Sequence, residues 1–144
     1  MHSEKDTAAW IAAYEQVRRS NDSAALGRMW APDGTLHHPD LSRPIPGSQL
    51  PAYNDDILRR LPDITWELLR WASRDDIVYL EWTCRATISG TPLVWSGVDR
   101  MVIHDGLITE EVVYYDTVPL WITRDPLMRR AARVDADLLG PEHG

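Results

Sequence analysis

The stretch from Leu93 to Asp116, LVWSGVDRMVIHDGLITEEVVYYD, constrains the fold most. Two runs rich in Val, Ile, Trp and Tyr flank His104-Asp105-Gly106, and Asp-Gly between such runs is the strongest short-range hairpin signal, because both turn positions need positive φ. Alternation at period two puts Trp95, Gly97, Asp99, Met101 and Ile103 on one face and Val94, Ser96, Val98, Arg100 and Val102 on the other. With a two-residue turn, His104 pairs with Leu107, and the Asp99 face is expected to continue through Ile108, Glu110, Val112, Tyr114 and Asp116. An apolar sheet face carrying acids along its length points to a lined cavity rather than a dry core, since carboxylates are almost never fully buried without compensation.

The rest of the chain supplies helices and more strands. Ser3 or Asp6 can cap a helix running to about Ser20, with Trp10, Ile11, Tyr14 and Val17 near one face. Asn21-Asp22-Ser23 ends it and caps a short second helix from Ala24 to Trp30. Pro32-Asp33-Gly34 reads as a turn and Thr35 to His38 as a short extended piece. The Pro-rich segment between Pro39 and Pro51 must be a loop, of the kind that covers sites. Ala52 to Leu61 is a third helix, and Ile64 to Trp71 and Ile77 to Ile88 are strands. In the latter, Leu80, Trp82, Cys84 and Ala86 alternate with Glu81, Thr83 and Arg85, the pattern of a sheet with one covered face. A last helix is expected over about 126–139, with Arg124, Arg129, Arg130 and Arg133 as a solvated basic cluster. The order gives an α+β fold: a cone-shaped, curved antiparallel sheet packed against three N-terminal helices, plus a C-terminal helix, in one domain over 1–144 with its core at about 5–120. A small molecule would sit in the mouth of the cone.

Composition removes several classes of function. At 144 residues the chain is one domain's worth. A net charge of −7 takes away the sequence-independent attraction to phosphate backbones, so nucleic acid is not an expected partner. No apolar run reaches the ~18 residues that span a bilayer, and no membrane is expected. The single Cys84 cannot form an internal disulfide, which fits a cytoplasmic protein.

There is no Gly-rich phosphate loop, and no cofactor is expected. His37-His38 with Asp40 resembles a metal set only loosely, because adjacent residues in a strand point to opposite faces. Tyr14, His38, Asp99 and Asp116 remain as candidate catalytic residues, although each also has an ordinary reading as a core tyrosine, a backbone-bonded histidine, a salt-bridged acid or a strand-end acid. Met29, Trp30, Tyr53, Trp66, Trp82, Trp95, Met101 and Tyr114 are candidates for an apolar wall that binds substrate, or for ordinary core.

Three segments carry a resemblance. AAYEQVRRSNDSAALGRMWAPDGTLHHP is similar, without a gap, to the opening of ketosteroid isomerases, DRMVIHDGLITEEVVYYD resembles their last hairpin, and YYDTVPL is similar to the ending of many bacterial SnoaL-like proteins. The chain thus resembles the superfamily of SnoaL-like polyketide cyclases and ketosteroid isomerases, which shares its fold with nuclear transport factor two. The resemblance implies that Tyr14 matches the oxyanion-hole tyrosine, that Asp99 matches the acid donating the second hydrogen bond, and that His38 stands in place of the general-base Asp before Pro. Trp30 departs from a supporting tyrosine of that network. The limonene epoxide hydrolase branch needs an Arg and an Asp two apart on one face, whereas Asp99 and Arg100 are adjacent, although Asp99 with Asp116 could activate water. The implied function is cofactor-independent general acid/base chemistry, as an isomerase, cyclase or dehydratase, on a hydrophobic carbonyl-containing small molecule. The imidazole suits that role because its unperturbed pKa is near neutrality. The alternatives are a non-catalytic small-molecule or partner-binding module of the same fold and an epoxide-hydrolase-like enzyme; a homodimer through the convex sheet face is common in the superfamily.

Overall fold

The computed structural model describes residues 3–122, and for Trp121 and Ile122 the backbone alone. The helix expected over 126–139 and the arginines around it lie outside the described residues. Helix α1 (Glu4–Ser20) is followed by α2 (Ser23–Gly27), β1 (Trp30–His37), β2 (Ile45–Pro46), α3 (Leu50–Arg60), β3 (Thr65–Arg74), β4 (Ile77–Ile88), β5 (Thr91–His104), β6 (Leu107–Tyr115) and α4 (Val118–Ile122). The strands form one curved six-stranded sheet in the order β2-β1-β6-β5-β4-β3. The cone is therefore as expected, with one difference: β1 runs parallel to β6, while every other pair is antiparallel.

Local chemistry explains the elements. Ser3 caps α1 by accepting from the Asp6 N–H at 3.1 Å, and Asn21, at φ 55°, ends it in the left-handed region. Asp22 caps α2 through the Ala25 N–H at 2.9 Å. Pro51 falls in the first turn of α3, where its missing N–H is no loss, so that helix starts at Leu50 rather than at Ala52. Pro32-Asp33-Gly34 does not precede a strand but lies inside β1, where the pairing with β6 jumps between Trp30 and Thr35; the irregularity absorbs the proline.

The hairpin turn is as expected. Asp105 (φ 49°) and Gly106 (φ 77°) occupy the two turn positions, and His104 pairs with Leu107. The Trp10 indole N–H donates to the Gly106 carbonyl at 2.9 Å, tying α1 to the turn. Beyond the turn the expected face is wrong. The pairing shifts between Val102↔Glu110 and Ile103↔Ile108, leaving Thr109 as an extra residue on β6. A one-residue bulge reverses every side chain that follows it. Glu111, Val113 and Tyr115 therefore share the face of Asp99, while Glu110, Val112, Tyr114 and Asp116 do not, and Tyr114 is 57% exposed. Thr109 returns its hydroxyl to the Val102 carbonyl at 3.2 Å.

The core lies between the concave sheet face and the helices. Leu80, Met101, Ile103 and Ile108 are fully buried, and Tyr14 and Ile11 reach them from α1. No helix among the described residues is long and apolar enough to cross a membrane.

Candidate active site

Helix α1 contributes Tyr14 and Arg18, one turn apart on the stripe that begins with Thr7 and Ile11. The Tyr14 ring is held by Trp10, stacked at 5.4 Å, and by Trp66, edge-on at 5.9 Å. Burial, with the neighbouring Glu111 as the next cause, pushes its hydroxyl well above the ordinary tyrosine range, so it is a hydrogen-bond donor at any working pH. The Arg18 guanidinium lies over the Trp66 ring, 5.3 Å from its centroid. Burial alone would lower its pKa, but Tyr14, Asp99 and Glu111 favour its charge and the balance is upward.

Asp99 sits at the base of the sheet face, 4% exposed. Its Oδ1 accepts from the Trp82 indole N–H at 2.8 Å. That contact depends on Gly97, which pairs with Trp82: a Cβ there would stand 2.6 Å from Trp82 Cζ2 and 2.4 Å from the Tyr114 carbonyl oxygen. Asp99 also shares a side-chain hydrogen bond with Glu111, 5% exposed, so one carboxyl of the pair carries a proton. Burial raises both pKa values. For Asp99 the Trp82 bond and the Arg18 charge oppose the rise, whereas the Asp99 charge adds to it for Glu111, which is therefore the protonated partner.

His38 follows the end of β1. Its Nδ1 contacts Asp40 Oδ1 and lies 3.3 Å from the Asp40 backbone nitrogen. The carboxylate is the closer of the two, so the proton resides on Nδ1 and Nε2 is left as the basic nitrogen. Asp40 also accepts from the Tyr53 hydroxyl at 2.8 Å. Burial would raise the Asp40 pKa, but His38 and Tyr53 outweigh it and hold the carboxyl below its usual range. The rings of Tyr53, at 5.8 Å, and Tyr115, at 5.3 Å, flank the imidazole.

Tyr14, Arg18, His38, Asp40, Tyr53, Trp66, Trp82, Asp99, Glu111 and Tyr115 all line one cavity of about 960 Å³. Of the sequence-predicted set, Tyr14, His38, Asp99, Trp30, Tyr53, Trp66, Trp82 and Trp95 come together on its wall. Met101 is buried in the core behind the wall, Met29 packs against the core, and Tyr114 faces outward because of the bulge. Asp116 is exposed, and its Oδ1 accepts from the Val118 N–H at 3.0 Å at the start of α4. Four polar contributors were missed: Arg18, Asp40, Glu111 and Tyr115. Arg18 was within reach of sequence reasoning, since it continues the 7, 11, 14 spacing of the buried stripe. Glu111 and Tyr115 were hidden by the bulge. Among the described residues no cluster of His, Cys, Asp and Glu has the arrangement of a metal site.

The SnoaL-like domain family matches residues 8–111, which include every residue of this polar set except Tyr115. The chain belongs to the SnoaL-like domain family. Three solved structures illustrate the shared fold. AclR from Streptomyces galilaeus, described as a candidate hydroxylase, is 19% identical with a TM-score of 0.70 over 84% of this chain and 85% of that one. IdmH from Streptomyces antibioticus, described as a candidate polyketide cyclase, is 21% identical with a TM-score of 0.67 over 78% and 93%. TerC, co-crystallised with polyporic acid, is 19% identical with a TM-score of 0.67 over 76% and 91%. No curated protein matches the chain.

Proposed function

We propose that this SnoaL-like protein is a cofactor-independent general acid/base enzyme, of isomerase or cyclase type, acting on a hydrophobic carbonyl-containing small molecule. One observation carries the reading: His38, oriented by Asp40, shares a single aromatic-walled cavity with the proton-sharing pair Asp99 and Glu111. Separate carboxylates would be spent acids. A base and a retained acid facing one apolar space are the two ends of a proton shift.

In this reading His38 Nε2 removes a proton α to the carbonyl. The Tyr14 hydroxyl then hydrogen-bonds the oxygen as it becomes an enolate, the Glu111 carboxyl turns its proton from Asp99 toward the same oxygen, and the imidazolium returns the abstracted proton to a different carbon. Asp40 and Tyr53 act as positioning residues for the imidazole. Trp30, Trp66, Trp82 and Trp95 exclude water, which strengthens each of these interactions. The descriptions of IdmH as a candidate cyclase and of TerC with polyporic acid support a ring-containing, oxygenated substrate class.

The test is exchange of α-protons for solvent deuterium in a panel of aryl and fused-ring ketones, followed by NMR. Exchange should be accelerated by the wild-type protein and slowed by about 10²- to 10⁴-fold in His38→Ala. Ketones that quench the cavity tryptophans yet exchange no faster than in buffer would leave a binding module instead.

A further inference from the structure

Tyr115 lines the cavity yet neither gives nor takes a proton in the proposed reaction. The bulge at Thr109 turns it toward the cavity, where it pairs with Gly97 of β5. Trp82 of β4 pairs with the same glycine from the other side. A side chain at Gly97 would crowd both: its Cβ would lie 2.6 Å from Trp82 Cζ2 and 2.7 Å from Tyr115 Cβ. Without one, the phenol and the indole meet across the middle strand, with ring centroids 6.1 Å apart. The Tyr115 ring also lies against the His38 imidazole, 5.3 Å away. One ring therefore touches both the proposed base and the indole that holds Asp99.

We propose that Tyr115 is a positioning residue that sets where His38 stands relative to the Asp99 and Glu111 pair, and thereby to which carbon the abstracted proton is returned. Asp40 and Tyr53 hold the imidazole from the Pro-rich loop and from α3. Held from that side alone, the base would move with the loop; the Tyr115 ring ties it to β6, the strand that carries Glu111. The role belongs to the ring, which makes both contacts, rather than to the hydroxyl. A reacting group displaced by about 1 Å can change a rate by 10²-fold, so a loosened imidazole would no longer choose between two carbons of one enolate. The proposal rests on the reading of His38 as the base.

A fused-ring β,γ-unsaturated ketone in D2O tests it, because its dienolate can be protonated again at the α carbon or onward at the γ carbon. NMR gives the ratio of conjugated ketone formed to α-deuterated ketone recovered. Wild type should give a higher ratio than free imidazole, and Tyr115→Leu should shift it by about 10- to 100-fold toward the free-imidazole value. Tyr115→Phe keeps the ring and should stay within about twofold of wild type. Only folded protein contributes to the ratio, so a loss of stability alone does not move it, and Tyr115→Val, suited to a strand, serves should the leucine variant not fold. In the ligand-free protein, NMR order parameters of the His38 ring should fall in Tyr115→Leu and hold in Tyr115→Phe. A leucine variant with the wild-type ratio would overturn the proposal, as would a wild-type ratio equal to that of free imidazole, or a phenylalanine variant that behaves like leucine. Wild-type protein that leaves the ketone unchanged would remove the enolisation reading; a looser His38 in Tyr115→Leu would then still assign Tyr115 as its support, and equal order in all variants would remove that too.

Discussion

Asp99 on β5 and Glu111 on β6 share a hydrogen bond across a diagonal of the sheet, since Asp99 pairs with Val113 and Glu111 with Met101. Diagonal neighbours are close enough for such side chains to meet. Two carboxyls in this position remain together by holding a proton that both would have lost in the unfolded chain at neutral pH.

Stability should therefore fall as pH rises. The folded pKa of Glu111 is raised well above the carboxylate value of 4.5, so between 4.5 and that folded pKa the native state binds more protons than the unfolded state. The contribution is fully present below 4.5 and is lost on the way up, at up to about 1.4 kcal/mol per pH unit. Glu111→Gln keeps a side chain able to donate to Asp99 but removes the titration. Urea melts from pH 5 to 8 should slope downward for wild type and be markedly flatter for the variant; parallel slopes would contradict the shared proton.

The Trp82–Asp99 bond is buried, so removing the donor leaves an acceptor in the interior. Trp82→Phe should cost about 1–3 kcal/mol. It should also raise the Asp99 pKa further, because the indole bond is the largest of the effects that oppose burial there. Gly97→Ala should disturb the same bond from the other side, as its methyl would overlap the indole and the Tyr114 carbonyl. If Gly97→Ala were as stable as wild type with an unchanged tryptophan spectrum, the close approach of the two strands would be wrong.

Asp40→Asn tests the orientation of His38. The amide can still reach Nδ1 but no longer stabilises an imidazolium, so proton exchange should slow by about 10- to 100-fold, with ketone affinity little changed. Because the Asp40 pKa is held below its usual range, its ionised form is the one the fold favours; that stabilisation is present above the ordinary Asp value and is lost as pH falls through the lowered one. Asp40→Asn should remove this acid-side loss. An unchanged exchange rate would make Asp40 a surface partner only.

How much of this could be read from the chain depended on where the backbone stays regular. Asp105-Gly106 announced the turn because its chemistry is local, and the alternation through Trp95, Asp99 and Met101 placed β5 correctly because no residue interrupts it. Thr109 carries no local mark of a bulge, yet it moved Glu111 inward and Tyr114 and Asp116 away from the cavity face. Arg18 was legible by spacing, because it continues the stripe of Thr7, Ile11 and Tyr14, but its place there makes sense only once carboxylates on another element are seen to face it. Asp40 and Tyr53, thirteen residues apart, meet only after the Pro-rich loop has folded back over α3.

Tyr14 separates a chemical role from a packing role within one side chain. Its ring is stacked on Trp10 and edge-on to Trp66, and it is 2% exposed. Tyr14→Phe keeps those contacts and removes only the hydroxyl, so stability should change by less than about 1.5 kcal/mol. If that hydroxyl meets the developing oxyanion, exchange should still fall by on the order of 10²- to 10³-fold. Tyr14→Ala instead opens a cavity under α1 and should cost about 3–5 kcal/mol. Thermal melts and exchange rates measured on both variants separate the effects. A Phe variant that exchanges at the wild-type rate would leave Tyr14 as packing and place the oxyanion on the Asp99–Glu111 proton alone.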